Sequence, residues 1–261
     1  MRRANGKVVL RELDSPEEFQ ETVDVGRSAW RFSDLLLSPA SDLIAGTHAG
    51  GLTAGAFEAG RMLGFVFGLP RTNQGQPCQH SHLLAVRREA QGRGLGVLLK
   101  LFQRRWCLEN GIQLVTWTYD PFLLKNARLN IGRLRATARA YLPNFYGDMG
   151  GIYGTLPTDR FEVVWRLDDP IVERAAEGEE SAPPQDLDAL PFVRGGRIPA
   201  APRLLLTFPA GAPGIYRSDP EGTHKAKRAF GRAAAALFER GYEATAVAER
   251  EGRPGYVFER R

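Results

Sequence analysis

The order of apolar patterns along this 261-residue sequence predicts an α/β protein: a mixed central sheet with flanking helices, followed by a small C-terminal β-α-β-β unit. Three observations carry the prediction. Strand and helix periodicities alternate along the chain, as they do in layered α/β architectures. Two apolar runs, Gly51 to Glu58 and Arg61 to Leu69, meet at Glu58-Ala59-Gly60, which marks an antiparallel hairpin. A strand at 81–87 runs into a Gly-rich turn and then a helical pattern, which is how a parallel crossover begins.

Taken in order, residues 7–12 read as a first strand. Ser15-Pro16-Glu17-Glu18 supplies an N-cap, a proline at the first helical position and an acidic first turn, so a helix runs to about Trp30. The hairpin and the 81–87 strand follow. Val97, Leu98, Leu101, Phe102 and Leu108 then recur at helical spacing up to the stop Asn110-Gly111. Ile112 to Tyr119 is β-branched and aromatic, hence a strand, and Asp120-Pro121 ends it. Lys125 to about Arg135 reads as helix. Phe161, Val163, Trp165 and Leu167 define a half-buried strand.

Composition shifts near Asp168. The stretch 173–190 holds six carboxylates around Ser181-Ala182-Pro183-Pro184 and reads as a solvated linker. The expected organisation is a main domain over 1–168, a linker over 169–202 and a small α+β unit over 203–261. In that unit Leu204–Phe208 is a strand, Ala226 to Phe238 a helix, and 243–259 a closing hairpin. A unit of ~60 residues is marginal alone, so it is expected to pack onto the main domain or, in a homodimer, onto a second subunit.

Hydrophobic residues at 43% and charged residues at 25% exclude a disordered or fibrous chain. No apolar run approaches the ~20 residues of a membrane span, and Met1–Lys7 turns polar where a secretory segment would begin. Two cysteines, Cys78 and Cys107, exclude a disulfide framework, and both are expected reduced in a cytoplasmic protein. The net charge of +5 is small, and basic runs such as Arg133 to Arg139 are short and scattered. A nucleic-acid partner is therefore not expected. Attraction of a polyanionic small molecule, or simple solubility, explains the charge equally well. No metal site and no membrane association are expected.

The most informative stretch is Leu83-Leu84-Ala85-Val86-Arg87-Arg88-Glu89-Ala90-Gln91-Gly92-Arg93-Gly94-Leu95-Gly96-Val97-Leu98-Leu99. A Gly-rich turn that opens a helix leaves backbone N–H groups without internal partners and adds the positive end of the helix dipole. Glycine lets that backbone approach oxygen atoms closely. The geometry suits a pyrophosphate, although a plain tight turn would use the same residues. A Walker A loop needs Gly-Lys-[Ser/Thr], which is absent. The dinucleotide pattern G-x-G-x-x-G ends on Leu99 or Val97 rather than on glycine.

The spacing that fits is Gln91-x-x-Gly94-x-Gly96. It resembles the coenzyme A pyrophosphate motif [Gln/Arg]-x-x-Gly-x-[Gly/Ala] of the GCN5-related N-acetyltransferase (GNAT) superfamily, and it stands after the fourth strand as it does there. The resemblance covers about residues 7–167. It implies that the fourth and fifth strands splay to admit the pantetheine arm of an acyl-CoA, with Leu84 and Val86 offering main-chain bonds. It further implies that the loop Gln91, Gly92, Arg93, Gly94, Leu95 and Gly96 holds the pyrophosphate, and that Asn126, with Asn130 one turn later, bonds pantetheine. A helix cap is the alternative for Asn126.

His80-Ser81-His82-Leu83-Leu84-Ala85-Val86 resembles the His-x-His-x-Leu-Ala-Val strand of arylalkylamine N-acetyltransferases. Residues two apart share one face of a strand. An amine must be neutral to attack a thioester, and imidazole titrates near neutral pH. The resemblance therefore implies His82, with His80, as the catalytic base; His82 is favoured here as the deeper of the two. Hydrogen bonding at a strand end is the alternative for both. A backbone N–H near Leu83 or Leu84 would serve the oxyanion. Many relatives carry a general-acid tyrosine on the helix after the fifth strand, but 126–134 contains none. Tyr146, Tyr141 or Tyr119 could supply the proton, or water could; Asp120 is a reserve base.

The longer pattern Trp117-Thr118-Tyr119-Asp120-Pro121 … Tyr141-Leu142-Pro143-Asn144-Phe145-Tyr146-Gly147 resembles a bacterial GNAT branch with a C-terminal extension. Some members of that branch are linked with N-acylamino-acid racemases and N-succinylation of amino acids, which would ask Arg71, Arg128, Arg133 or Arg135 to hold a carboxylate. The expected function is transfer of an acetyl or succinyl group from an acyl-CoA co-substrate to a small-molecule amine or amino acid in a ternary complex. The alternatives are a catalytically silent acyl-CoA-binding module and, third, a nucleic-acid binder.

Overall fold

A computed structural model describes residues 8–147, 149, 156–179, 187–193, 197–208 and 220–260. The expected linker centre Ser181-Ala182-Pro183-Pro184, the polar start 1–7 and most of the loop 148–155 lie outside these residues. The chain forms two compact units, Met1–Thr116 and Trp117–Arg261.

In the first unit, β1 (Val9–Glu12), β2 (Leu52–Glu58), β3 (Arg61–Asn73) and β4 (Gln76–Val86) form consecutive antiparallel pairs. The start of β5 (Leu114–Tyr119) adds in parallel beside β4. Ala59 and Gly60 both have positive φ (51° and 80°), the two-residue turn whose twist matches a hairpin. Gln74-Gly75 repeats this geometry, so β3 folds straight back into β4. That is why β4 begins five residues before the strand expected from sequence: its first turn is exposed and shows no apolar alternation.

Helices α1 (Pro16–Trp30) and α2 (Ala40–His48) cover one face of this sheet. Ser15 caps α1, its Oγ accepting from the Glu18 N–H at 3.4 Å, an arrangement worth about 1 kcal/mol. Phe19, Val25 and Leu43 of these helices pack against Met62, Phe65, Phe67 and Ala85. Helix α3 (Leu95–Glu109) covers the other face, with Leu99 against Leu52, Ala54, Ala56 and Val66. Strand β2, buried on both faces, reads as an unbroken apolar run for that reason.

The expected face of α3 is off by one position. The buried stripe is Leu95, Leu99, Gln103 and Cys107, with Lys100 beside it, whereas Leu98 is exposed. Polar Lys100 and Gln103 sit where an apolar periodicity count looks for leucines.

In the second unit the strand order is β5, β7 (Arg160–Arg166), β6 (Thr137–Leu142), β9 (Tyr242–Arg250), β10 (Arg253–Arg260) and β8 (Arg203–Thr207). Strand β6 was not expected; its arginine, Arg139, reads as part of a surface basic run, yet Ala138 pairs with both Val163 and Ala244 and is fully buried. The C-terminal strands thus continue the β6–β7 sheet. Helix α4 is a single turn (Leu124–Ala127) followed by a π-helical turn over Arg128–Arg133, instead of a helix to Arg135. Helix α5 (Pro170–Ala176) is capped by Asp169. Helix α6 (Pro220–Glu239) sends Phe230 and Phe238 against Phe161, with ring centroids 6.0 and 5.3 Å apart. Among the described residues no helix is long and apolar enough to cross a membrane.

Candidate functional site

The turn between β4 and α3 is built to expose backbone donors. A 3-10 turn over Arg88–Ala90 closes the strand, and Gln91 swings back so that its Nε2 donates to the Val86 carbonyl at 3.0 Å. Gly92 and Gly94 then take left-handed φ values of 82° and 80°, Gly94 as the N-cap of α3. A Cβ at either position would meet nothing within 4 Å, so the glycines serve a backbone conformation and leave open space in front of it. The first loop N–H groups with intrahelical partners are Val97 and Leu98, both bonding the Gly94 carbonyl. Among the described residues the N–H groups of Gly92 to Gly96 have no protein acceptor. Five consecutive donors at a helix N-terminus, where the dipole is positive, suit a diphosphate.

Two side chains of this loop have other duties than those expected. Gln91 braces the turn against the strand end. The Arg93 guanidinium forms a two-pronged, exposed pair with Glu58, at 2.5 and 3.1 Å, which holds the Glu58 carboxyl below its usual range. What Arg93 offers a ligand is its N–H.

Strand β4 changes phase at His82. Ser81 pairs with Gly68 and Leu83 with Phe67, so His82 is the extra residue of a β-bulge. Before it, Gln79 and Ser81 face α3 and bond Gln103; after it, Leu84 and Val86 face α3, while Leu83 and Ala85 join the opposite core. The parallel ladder with β5 consists of Gln79↔Val115 and His80↔Thr116. Leu84 and Val86 lie beyond these two pairs, toward the Gly-rich turn.

His80 and His82 lie on one face with ring centroids 6.0 Å apart, and His82 stands edge-on to Phe67. The expected depth order is reversed: His80 is half-buried and His82 exposed, because the bulge turns His82 outward. Burial pushes the His80 imidazole down to about 4, helped by His82, Arg71 and Lys100. Burial also lowers His82. Both rings are therefore neutral at pH 7. Arg71 is engaged with the Thr116 Oγ1 at 3.0 Å.

Behind β4, on the α3 side, lies a buried polar network that the sequence reading missed. Lys100, 2% exposed, donates to the Ser81 Oγ at 3.0 Å and the Gln103 Oε1 at 2.7 Å. Gln103 Nε2 donates to the Gln79 Oε1 at 2.5 Å, and the Cys107 thiol approaches the same oxygen at 3.4 Å. Desolvation lowers the Lys100 ammonium to about 7 and raises the Cys107 thiol to about 12. Cys78 and Cys107 are both free and buried.

The remaining expected residues lie in the second unit. Asn126 is on α4, half-buried, and Leu123 rather than Asn126 caps that turn. Asn130 is buried in the π-turn, its carbonyl accepting from the Ala136 N–H at 3.1 Å. Tyr146, 42% exposed, sits in the turn after β6 with its ring edge-on to Phe145 and under the Arg160 guanidinium at 4.9 Å. Tyr119 is fully buried, its hydroxyl donating to that of Tyr256 at 3.0 Å, and burial raises it well above the usual phenol range. Tyr141 is raised likewise and lies so close to Gly231 that a Cβ there would strike its hydroxyl.

Asp120 is fully buried. It accepts from the Phe122 N–H at 2.8 Å and faces Lys227 Nζ at 3.7 Å. Lys227 also lies 3.8 Å from Asp159 and donates to the Pro157 carbonyl at 2.7 Å. Asp120 is thus part of a structural ion triad, with no lone pair left exposed to act as a reserve base. Among the described residues no group of three or more His, Cys, Asp or Glu is placed to hold a metal ion.

No protein-family model matches the sequence, and no curated protein matches it. Solved structures do match the fold. A GNAT-family acetyltransferase structure from Desulfovibrio desulfuricans superposes with a TM-score of 0.50 at 19% identity, covering 62% of this chain and 99% of its own. The ribosomal-protein-S18-alanine N-acetyltransferase of Escherichia coli gives 0.50 at 13% identity, covering 62% and 94%. The acetyltransferase-type protein yncA of Salmonella typhimurium, solved with acetyl-CoA, gives 0.51 at 17%, covering 69% and 99%. A substantial part of this chain has no counterpart in them. An open Gly-rich turn after a bulged fourth strand, together with these superpositions, identifies the fold as that of the GNAT acetyltransferases.

Proposed function

We propose that the protein is an acyl-CoA-dependent N-acyltransferase, transferring an acetyl or succinyl group to a small-molecule amine or amino acid. The observation that carries this reading is the run of five N–H groups from Gly92 to Gly96, without a protein acceptor among the described residues, at the N-terminus of α3. Such a surface fits a diphosphate followed by an extended amide-bearing arm, which is the chemistry of coenzyme A. The co-substrate brings an activated thioester. The chain holds it, keeps the acceptor amine neutral and orients the two for attack.

His82 suits the proton-accepting role because it keeps more of its basicity than His80, which is held down to about 4. His80, neutral at all physiological pH, fits a hydrogen-bonding relay behind it. The expected contacts of Asn126 and Asn130 with pantetheine, and of Tyr146 with the departing thiolate, belong to this reading as its second-unit part. Tyr146 is the phenol among the three with a surface-exposed ring. Two free, buried thiols fit a reducing, cytoplasmic setting.

The test is calorimetry with acetyl-CoA and succinyl-CoA, followed by a thiol-release assay on a panel of amines and amino acids. Saturable binding with acceptor-dependent thiol release is expected. A folded protein that gives no heat with CoA or its thioesters overturns the assignment. Binding without turnover on any acceptor overturns the catalytic half and leaves an acyl-CoA-binding module.

A further inference from the structure

The second unit contains a cavity of about 150 Å³ on the sheet face under α5, and its chemistry is unlike that of a packing defect. Its floor includes Thr137 of β6 and Thr245 of β9. These strands run antiparallel with Ala138 opposite Ala244, so Thr137 and Thr245 occupy neighbouring positions on the two strands. Thr137 is 8% exposed. The hydroxyl oxygens of both are shielded from solvent and have no hydrogen-bond partner. A buried hydroxyl without a partner costs about 1–3 kcal/mol, so two side by side on one cavity floor call for an occupant that bonds them.

The walls say what kind of occupant. Arg135, Arg166 and Arg203 all line the cavity and all are half-buried. Two carboxylates line it as well, and each has an assignment. Glu259 pairs with Arg203 at 3.0 Å; Asp169 caps α5 by accepting from the Ile171 N–H at 2.8 Å. Arg203 is engaged by Glu259, whereas the Arg166 guanidinium has no side-chain partner among the described residues. Guanidinium forks match planar or tetrahedral oxyanions, and threonine hydroxyls donate to the same oxygens. Water could fill the volume, but it would not offset the charge.

We infer that this cavity is a binding site for a small oxyanion, a carboxylate or a phosphate no larger than a few heavy atoms beyond the charged group, gripped by Arg166 and the Thr137–Thr245 pair. The site is made wholly of residues of the second unit and does not rest on the acyltransferase reading. It couples α5 to β6–β10: an anion held between the arginines and the threonine floor ties the helix N-terminus to the sheet.

The test uses the full chain, with titrations of malonate, succinate and inorganic phosphate against sodium chloride at matched ionic strength, read by calorimetry and by thermal shift. Carboxylate and phosphate arms distinguish the two sources of oxyanion. Saturable binding and a concentration-dependent rise in Tm are expected for at least one. Arg166→Gln should weaken that binding about tenfold or more. Thr137→Val keeps the shape and removes an unpartnered hydroxyl, so the unliganded protein should melt no lower than the parent while anion binding falls several-fold. This second variant separates ligation from folding, should Arg166→Gln prove unstable. No saturable binding at tens of millimolar, or binding that both variants leave unchanged, overturns the inference. Acetyl-CoA affinity serves as the control and should not move in either variant.

Discussion

Replacing Lys100 by methionine tests the buried network behind β4 and is read through pH. Lys100 is wholly enclosed, with its ammonium lowered to about 7 by desolvation, against an unfolded value near 10.4. Between those limits the unfolded chain binds a proton that the folded chain does not. Stability conferred by this position therefore rises with pH across the window and is lost as pH falls toward 7. Integrating one such group from pH 7 to pH 9 gives about 2 kcal/mol. The window reaches the ordinary thiol range near 8.5, but Cys107, raised to about 12, is present in parent and variant alike and cancels from their difference. Urea unfolding of the parent and Lys100→Met at the two pH values gives the quantity directly. The parent-minus-variant difference should grow by about 2 kcal/mol at the higher pH. A difference that is flat with pH, or that shrinks, would mean Lys100 is protonated throughout and the network is a charged one. The variant also removes a positive neighbour of His80, so the His80 titration should move upward.

Four further outcomes are expected. Gly94→Ala, forced to φ 80°, should cost about 1–2 kcal/mol of stability while weakening acetyl-CoA binding about tenfold, measured by calorimetry; unchanged affinity would detach the turn from the ligand. Ring-proton NMR should find His80 neutral down to about pH 4 and His82 neutral below the ordinary histidine value. The double substitution His80→Ala with His82→Ala should lower kcat by about a hundredfold or more, and full activity would remove both from the proton path. Lys227→Met leaves Asp120 and Asp159 buried without their shared cation and should cost about 3–5 kcal/mol in denaturant unfolding; a change below about 1 kcal/mol would show that the triad is not what holds α6 to the loop after β5.

The legible parts of this chain were those where one residue type meets one backbone need. Ser15, Pro16 and Glu18 mark a helix start by satisfying particular donors, and the structure uses Ser15 for that purpose. Gly92 and Gly94 mark a left-handed turn because other residues are strained there. Three features were not legible. The face of α3 was misplaced because Lys100 and Gln103 are buried by partners on another element, Ser81 and Gln79. Strand β6 was hidden because its first four residues, Thr137-Ala138-Arg139-Ala140, offer only alanines as apolar signal around an arginine. Asp120 looked like an available base because its cation, Lys227, lies over a hundred positions away in sequence.

The bulge at His82 shows why the strand could be found but its site could not be oriented from sequence. A strand without a bulge would place Gln79, Ser81, Leu83 and Ala85 on one face, and a reader of alternation would put His80, His82, Leu84 and Val86 together on the other. The inserted residue breaks that equivalence: His80 and His82 stay on one face, but Leu84 and Val86 move to the face of α3. Two demands force it. The first half of β4 must present polar Gln79 and Ser81 to Gln103, whereas the second half must bury Leu84 and Val86 against the same helix. Both sets can face α3 only if one residue is looped out between them, and the looped residue is a histidine aimed outward. The bulge residue, with its added twist, stands two positions after His80, which pairs with Thr116 of β5. One extra residue therefore lets the polar and the apolar halves of β4 both pack on α3, and that residue is His82, the side chain to which the proposed function gives the proton-accepting role.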